Sequence, residues 1–421
     1  MKRILIIFCL LPLFSLAQNG QSLNLQKAYE LALQNYPLIK QRDLIKQSKD
    51  ITVDNLSKGF LPQINLSGQA SYQSAVTGVN IPIPGISFAL VNKDQYKFLA
   101  DINQLIYDGG IIKEQKKFQQ LNQEAEQQKV EVELYKLKER INQLFLGVLF
   151  LDEQLKQVDL IKADLNAGAK KVEAQVNNGV AFKSNLNVLK AEMLKADQRA
   201  IELKATRKGL TDVLGLFINQ SLQENIQLEK PVVESVVVIS EIQRPELKLF
   251  STQERLIGGQ LKLIDSRNKP KASMFMQGGY GKPGLNLLKN EFAFFYSTGL
   301  RLNWNFGGLY TKQNEKKLVE INQQSVNVQK DVFLLNTNTQ LKQQQSEIEK
   351  LQQLIATDKE IIDLRIKVKD AAKAQLENGV ITANDYLREV NAEDQSRQSL
   401  ITHQVQLLQA KINYQTISGK Q

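Results

Sequence analysis

The residue types that carry most protein chemistry are scarce in this chain of 421 residues. It has one His, His403, and one Cys, Cys9. A metal site or a disulfide framework needs several such residues, and Cys9 lies in a leader segment described below. A Cys/His metal site, a Cys–His nucleophile pair and a disulfide framework are therefore excluded. His403, on a Gln-rich stretch, is interpreted as a solvated side chain.

The remaining candidate chemistry is equally weak. Asp and Glu are scattered without the spacing of a paired carboxylate site. Gly109-Gly110 and Gly307-Gly308 do not form a phosphate loop, because no Gly-Lys-Ser/Thr follows. The net charge is +10, but the Lys residues are spread along the chain instead of lying in a patch with aromatic residues. We therefore expect no enzyme activity, no cofactor, no metal and no nucleic-acid partner.

The first 17 residues have the pattern of a secretory signal peptide. Lys2 and Arg3 precede an apolar run over 4–16, and small residues stand before a cut after Ala17. The run is too short to serve as a permanent transmembrane anchor. We expect an exported protein whose mature chain has no Cys.

Three short motifs recur in the same order about 200 residues apart, which indicates an internal repeat. The paired segments are 36–38 with 244–246, 107–110 with 305–308, and 178–180 with 378–380. We therefore predict a first structural repeat over 18–218, an inter-repeat segment over 219–244, and a second structural repeat over 245–421.

Each repeat is predicted to contain a long antiparallel helical hairpin. In the first repeat, apolar residues recur in steps of three and four from Leu134 to Val176 and again from Leu186 to Phe217. This spacing is typical of a coiled-coil seam. Asn-Gly pairs end helices and form turns, so the hairpin tips are expected near 178–182 and 378–382. A helix over 110–177 would be about 100 Å long, so it should pack in a bundle with other copies.

Each repeat also contains two segments in which apolar and polar residues alternate, as they do in the strands of membrane barrels. These segments are predicted to form one β-hairpin in each repeat, over 60–107 and 270–306. They are about ten residues long with one apolar and one polar face, as a tilted transmembrane strand requires. A soluble amphipathic sheet is the alternative. Four strands cannot close a barrel, whereas three copies would supply twelve. The predicted membrane-facing residues are Ile64, Leu66, Tyr72, Phe294, Tyr296, Leu300, Leu302 and Trp304.

Several stretches resemble the TolC family of outer-membrane efflux proteins. They are the opening over 23–37, the segment 59–64, the strand exit over 104–110 and the two Asn-Gly-Val tips. The resemblance implies a mainly α fold with a β-barrel part, built as a homotrimer. A 12-stranded barrel would lie in outer-membrane lipid, and an α-helical barrel would project into the periplasm. It further implies a passive exit duct of a tripartite efflux or secretion system, energised by an inner-membrane pump through a periplasmic adaptor (membrane-fusion protein).

The resemblance also assigns roles to residues near the tips. Asp385 would line the periplasmic entrance, with Asn185 as its equivalent in the first repeat, and Arg388 stands where some relatives carry a second aspartate. Three copies of Asp385 would favour cations, although Arg388 could neutralise them. Alternatively, Asp385 is a helix N-terminal acid, and each tip is a simple cap and turn. The tip residues expected to contact the adaptor are Asn178, Gly179, Val180, Asn378, Gly379 and Val380.

A second hypothesis is a soluble periplasmic coiled-coil scaffold or the adaptor itself. An adaptor would have one helical hairpin flanked by β domains. Because this sequence has two hairpins and paired ten-residue strands, the channel hypothesis is favoured.

Overall fold

The computed structural model describes residues 22–76, 92–232, 241–287 and 289–420. The predicted signal peptide and most of the Val-rich part of the inter-repeat segment lie outside these residues. The chain divides into two compact units, each assembled from separate stretches of sequence. The helical unit combines 1–39, 133–244 and 336–421, and the strand unit combines 40–132 with 245–335.

The order of elements is a helical segment, two long strands and two helices, given twice, which confirms the mainly α prediction. The helices are α1 (Leu25–Asn35), α2 (Gln41–Ser57), α3 (Ile111–Asn177), α4 (Lys183–Ile218), α5 (Pro245–Arg267), α6 (Gly307–Glu377) and α7 (Ala383–Ser418). The strands are β1 (Ser22–Leu23), β2 (Gln63–Tyr72), β3 (Asp94–Tyr107), β4 (Gln227–Leu228), β5 (Lys271–Lys282) and β6 (Ala293–Asn303). Within the described ranges, no helix combines the length and apolar composition that crossing a membrane requires.

The helical segment that precedes β2 is not one continuous helix. It is broken into α1 and α2 by a 3₁₀ turn over Pro37–Lys40. Pro37 cannot donate a backbone hydrogen bond, and it forces Tyr36 into an extended conformation (φ −66°, ψ 126°).

The core of the helical unit follows the apolar seam read from the sequence. Ile141, Val148, Leu165, Leu189 and Leu214 of α3 and α4 are fully buried. Each such side chain contributes roughly 1.5–3 kcal/mol by leaving water. The helices therefore pack because one face is apolar, and the α3–α4 hairpin is confirmed.

Two basic residues occupy seam positions, and both are paired. Lys162 lies 2.6 Å from Asp197. Arg207 Nε donates to Asp152 at 2.5 Å, and its other nitrogens donate to the carbonyl oxygens of Glu224 and Ile226 at 2.6 and 2.7 Å. One carboxylate and two carbonyl oxygens compensate the charge of Arg207, so this residue is tolerated within the apolar seam.

The repeated Gly-Gly motifs form the junctions between strand and helix. The buried carboxylate of Asp108 accepts hydrogen bonds from the backbone N–H of Gly110 at 2.7 Å and of Ile112 at 2.6 Å. These bonds satisfy N–H groups that the first turn of α3 leaves free. In the second repeat, Asn305 Oδ1 accepts from the N–H of Gly307 at 2.9 Å. The motif therefore caps the first turn of a helix in each repeat.

The strand unit contains a four-stranded antiparallel sheet in the order β2-β3-β5-β6. The central pair, β3 with β5, joins strands from the two repeats, and Phe98 lies opposite Tyr280. Within the described chain, β2 and β6 are hydrogen-bonded to a neighbour on one side only. The strand lengths of 10 to 14 residues agree with the prediction.

The position of Trp304 differs from the strand prediction. β6 ends at Asn303, so Trp304 lies just past the strand instead of within it. Its indole N–H donates to the carbonyl oxygen of Asn268 at 3.1 Å, and its ring lies 4.6 Å from that of Phe306. These contacts hold Trp304 in the turn between β6 and α6.

Candidate functional site

The two hairpin tips have the same backbone structure. Gly179 and Gly379 have φ values of 78° and 72°, a left-handed conformation that favours glycine. The backbone N–H groups of Val180 and Val380 each donate to a carbonyl oxygen five residues earlier, at 2.9 Å. This pattern is the Schellman motif that ends α3 and α6. The side chains of Val180 and Val380 are left 75% and 71% exposed.

The two tips lie side by side within the helical unit. Gln175 Nε2 on α3 donates to the carbonyl oxygens of Leu376 at 3.0 Å and Glu377 at 3.2 Å, at the end of α6. Lys171 lies 3.9 Å from Glu377. One chain therefore presents two equivalent apolar turns at one end of its helical hairpins. The sequence predicted each turn, but not the bonds that hold them together.

The helices leaving the tips begin differently. Thr382 and Asp385 form a capping box at the start of α7: the N–H and the hydroxyl of Thr382 donate to Asp385 Oδ2 at 3.1 and 2.7 Å. At the start of α4, Phe182 occupies the cap position and provides no side-chain hydrogen bond. Asn185 donates through its backbone N–H to the carbonyl of Phe182 at 3.0 Å. The first tip is therefore more apolar and less firmly capped.

The charge of Asp385 is stabilised locally. The hydrogen bonds from Thr382, followed by the more distant charge of Arg388, hold the pKa of Asp385 below its ordinary value. Arg388 is exposed, and its Nε contacts Glu389 at 3.1 Å rather than Asp385. Asp385 thus serves as a helix N-terminal acid within one chain, and its carboxylate stays ionised for any further role.

The strand unit places the predicted apolar side chains on an exposed face. In β6, Phe294, Tyr296 and Leu300 are exposed, whereas Phe295 and Ser297 are half-buried. A sheet that rests on a protein core shows the opposite arrangement, with its apolar face covered. The other predicted strand residues that are exposed are Ile64, Leu66, Tyr72 and Leu302.

Aromatic rings cluster at both ends of these strands. At one end, the ring of Tyr280 lies 4.6 Å from Phe294 and 5.5 Å from Phe292. At the other end, the ring centroids of Trp304 and Phe306 lie 4.6 Å apart, with the ring planes tilted by 35°. Transmembrane barrels carry such girdles at the two interfaces of the membrane.

A buried charge network that sequence analysis missed connects the two helical hairpins. Lys369 on α6 lies 2.8 Å from Asp164 on α3 and 2.6 Å from the buried Glu393 on α7. Arg397 also contacts Glu393, at 2.7 Å. Burial alone would lower the pKa of Lys369, but the hydrogen bonds to the two carboxylates outweigh it and raise the pKa. In the sequence these residues are indistinguishable from the other scattered charged residues.

The network continues along the same four helices. Arg199 on α4 donates to Asp394 at 3.1 Å and to Gln154 at 2.6 Å, and Gln157 donates to Asp394 at 2.9 Å. Beside it, Tyr386 is fully buried. Its burial, with the charge of Asp164, raises its pKa to about 12. No local spacing in the sequence pointed to these partners, because they come from different helices.

The described residues contain no group of three or more His, Cys, Asp and Glu that could hold a metal ion. The geometry instead consists of paired helical hairpins and a sheet with an exposed apolar face between aromatic ends. This is the architecture of an outer-membrane channel protein.

Comparison with known proteins supports this class. The family model described as "Outer membrane efflux protein" matches residues 28–217. The match covers most of the first predicted repeat, and it confirms there the resemblance to TolC-like outer-membrane efflux proteins that the motifs indicated. The outer-membrane location and the efflux-channel class expected from the sequence are those of this family. No curated protein sequence matches the chain.

Solved channel structures share the fold over most of the chain. The structure of CusC is 14% identical, with a TM-score of 0.69, and the match covers 94% of this chain and 92% of that one. VceC of Vibrio cholerae is 13% identical, with a TM-score of 0.67 and coverage of 94% and 96%. The open state of MtrE from Neisseria gonorrhoeae is 11% identical, with a TM-score of 0.63 and coverage of 94% and 89%. The TolC-like fold therefore extends through both repeats.

Proposed function

We propose that this protein is the outer-membrane exit duct of a tripartite efflux or secretion system. It acts as a passive homotrimeric channel that spans outer-membrane lipid and the periplasm. An inner-membrane pump supplies the energy through a periplasmic adaptor. The observation that carries the proposal is the exposed apolar face of the sheet, flanked by aromatic clusters at both strand ends.

The edges of the sheet support a trimer. The outer edges of β2 and β6 leave backbone N–H and C=O groups without partners in the described chain. Such groups cost several kcal/mol each in lipid, so the edges of one copy must pair with those of others. Three copies of the four-stranded sheet close a 12-stranded barrel, above the size at which bacterial barrels begin.

The paired tips are proposed to dock the adaptor. Val180 and Val380 project from rigid glycine turns, and Phe182 beside the first tip is 80% exposed. Apolar side chains exposed on fixed turns gain free energy when a partner covers them, and little ordering entropy is lost. Asn178 and Asn378 complete the turns. This surface fits the apolar end of another helical hairpin.

Asp385 is proposed to line the periplasmic entrance. A threefold arrangement would place three ionised carboxylates around one axis and favour cations. Arg388 is exposed and reduces this field, while Asn185 at the equivalent position of the first repeat adds no charge. We propose no catalytic role for any residue.

The location and mass of the mature protein test the duct. We would separate inner and outer membranes, extract in mild detergent, and measure mass by light scattering corrected for bound detergent. We expect an outer-membrane species of three chains. One or two chains in the soluble periplasmic fraction would refute the duct and favour a periplasmic scaffold or adaptor.

The tips are tested by site-specific photo-cross-linking in cells. A photoreactive amino acid at position 180 or 380 should yield an adduct with a membrane-anchored periplasmic protein. The control is position 328, because Val328 on α6 is similarly exposed (61%) but belongs to the strand unit. Equal adduct yield at 328, or no adduct at either tip, would contradict tip docking. Neither result would change the mass measurement.

A further inference from the structure

A pocket of about 250 Å³ lies in the helical unit, and none of its lining residues belongs to the tips or the charge network. It is bounded by the start of α1, the middle of α3 and the end of α7. Its polar lining includes Lys138, Gln415, Thr416 and Lys420. The proposed duct function assigns no role to this pocket.

Two tyrosine rings shape one wall of the pocket. Lys138 Nζ lies 5.5 Å from the ring centroid of Tyr29 and 5.1 Å from that of Tyr135. Each hydroxyl is already bonded: Tyr29 to Asn142 Oδ1, and Tyr135 to the carbonyl oxygen of Thr416 at 2.6 Å. These bonds fix the rings, which hold the ammonium by cation–π attraction.

Lys138 has no acidic partner in the part of the chain that the structure describes. Among the described residues it makes no hydrogen bond or ion pair, whereas Lys136, two residues earlier, pairs with Glu133 at 2.7 Å. Burial lowers the pKa of Lys138 below its ordinary value. Partly buried ammonium groups are normally paired, because lost hydration is costly. An anion in the pocket would supply the missing partner.

The lining also favours one kind of anion. No Asp or Glu is found among the described residues around the pocket, and Lys420 adds a second positive charge at its rim. The buried side chains of Leu25 and Ile412 provide an apolar wall. Small-molecule sites typically combine such apolar surface with a few charged groups.

We propose that this pocket binds a small organic carboxylate with an aromatic or aliphatic body. The carboxylate lies against Lys138, and the body packs against Leu25, Ile412 and the tyrosine rings. The volume of about 250 Å³ suits a compact ligand instead of a drug-sized one. Inorganic phosphate offers the charge without the body, so it serves as the comparison.

The test uses the full-length protein in mild detergent, with benzoate as the probe. Ligand-observed NMR and calorimetry should show saturable binding, with a Kd of about 1 mM or tighter. Lys138→Met should weaken binding at least about tenfold, because the charge partner is lost. Lys138→Arg should restore most of it. Lys136→Met is the matched control and should bind like the unmodified protein.

Two comparison ligands separate the contributions. Benzyl alcohol has the ring without the charge and should bind at least about tenfold more weakly than benzoate. Phosphate should displace benzoate only at large excess, and displacement at equal concentration would refute the apolar part of the site. Absence of saturable binding up to about 10 mM would overturn the proposal, as would equal binding by Lys138→Met with unchanged helical circular dichroism.

Discussion

Replacing Lys369 by Met should loosen the hairpins near the tips. Lys369 lies between Asp164 at 2.8 Å and Glu393 at 2.6 Å, and its own side chain is 11% exposed. Methionine keeps the length and apolar stem of lysine but removes the ammonium. The substitution therefore leaves a buried carboxylate without one of its partners.

The expected cost is about 2 kcal/mol. Removing one partner of a buried ion pair typically costs about 3–5 kcal/mol. Here Glu393 keeps Arg397 at 2.7 Å, and Asp164 is 37% exposed and can be hydrated. Both facts reduce the penalty. A cost of about 2 kcal/mol corresponds to a roughly 30-fold change in a local opening equilibrium.

The pH of the experiment follows from the direction of the pKa shift. The pKa of Lys369 is raised above its unfolded value, so its stabilisation is complete below the ordinary lysine pKa. It is lost only as pH rises through the raised value. A measurement near neutral pH therefore detects the full effect, and it should shrink in strong alkali.

Hydrogen exchange of the backbone amides measures this opening. For the proposed membrane trimer, a local measurement is better defined than a global melting temperature. Amides of α6 and α7 around 369 and 393 should exchange about 30-fold faster in Lys369→Met. The matched control is Lys367→Met, which removes only an exposed pair with Asp363 at 2.9 Å and should cause little change. Equal rates in the two variants would refute the reasoning.

Two further predictions concern the start of α7. Tyr386→Ala should destabilise this region by roughly 3–5 kcal/mol, because a fully buried ring packed against Gly168 is lost. Amide hydrogen exchange in α3 and α7 would measure the loss, and an unchanged exchange rate would contradict it. Thr382→Ala should raise the pKa of Asp385 toward its ordinary value and fray the first turn of α7. The pKa of Asp385 is lowered in the folded chain, so its stabilisation of α7 is present above the unfolded pKa near 4 and is lost as pH falls through the lowered value. Equal amide exchange rates in α7 with and without Thr382 at neutral pH would refute this prediction.

Local sequence patterns predicted the elements well because each depends on residues close along the chain. The seam from Leu134 to Val176 predicted α3, since side chains three and four apart share a helix face. Gly179 and Gly379 predicted the two turns, since left-handed backbone favours glycine. The segment 36–38 was recognised as a repeat motif, but the break that Pro37 causes between α1 and α2 was not predicted. Trp304 was assigned to β6 because alternation alone does not show where a strand ends.

By itself, the sequence determined the repeated order of elements, the two hairpins, the alternating strands and the efflux-protein family. Only the tertiary structure decided which distant charges meet. Lys369 reaches Asp164 and Glu393, and Gln175 caps the end of α6, because the register between packed helices brings them together. Register depends on how many side chains interlock across several helices at once, and no local spacing encodes it. For the same reason, Lys138 became notable only when the fold placed it beside Tyr29 without a carboxylate.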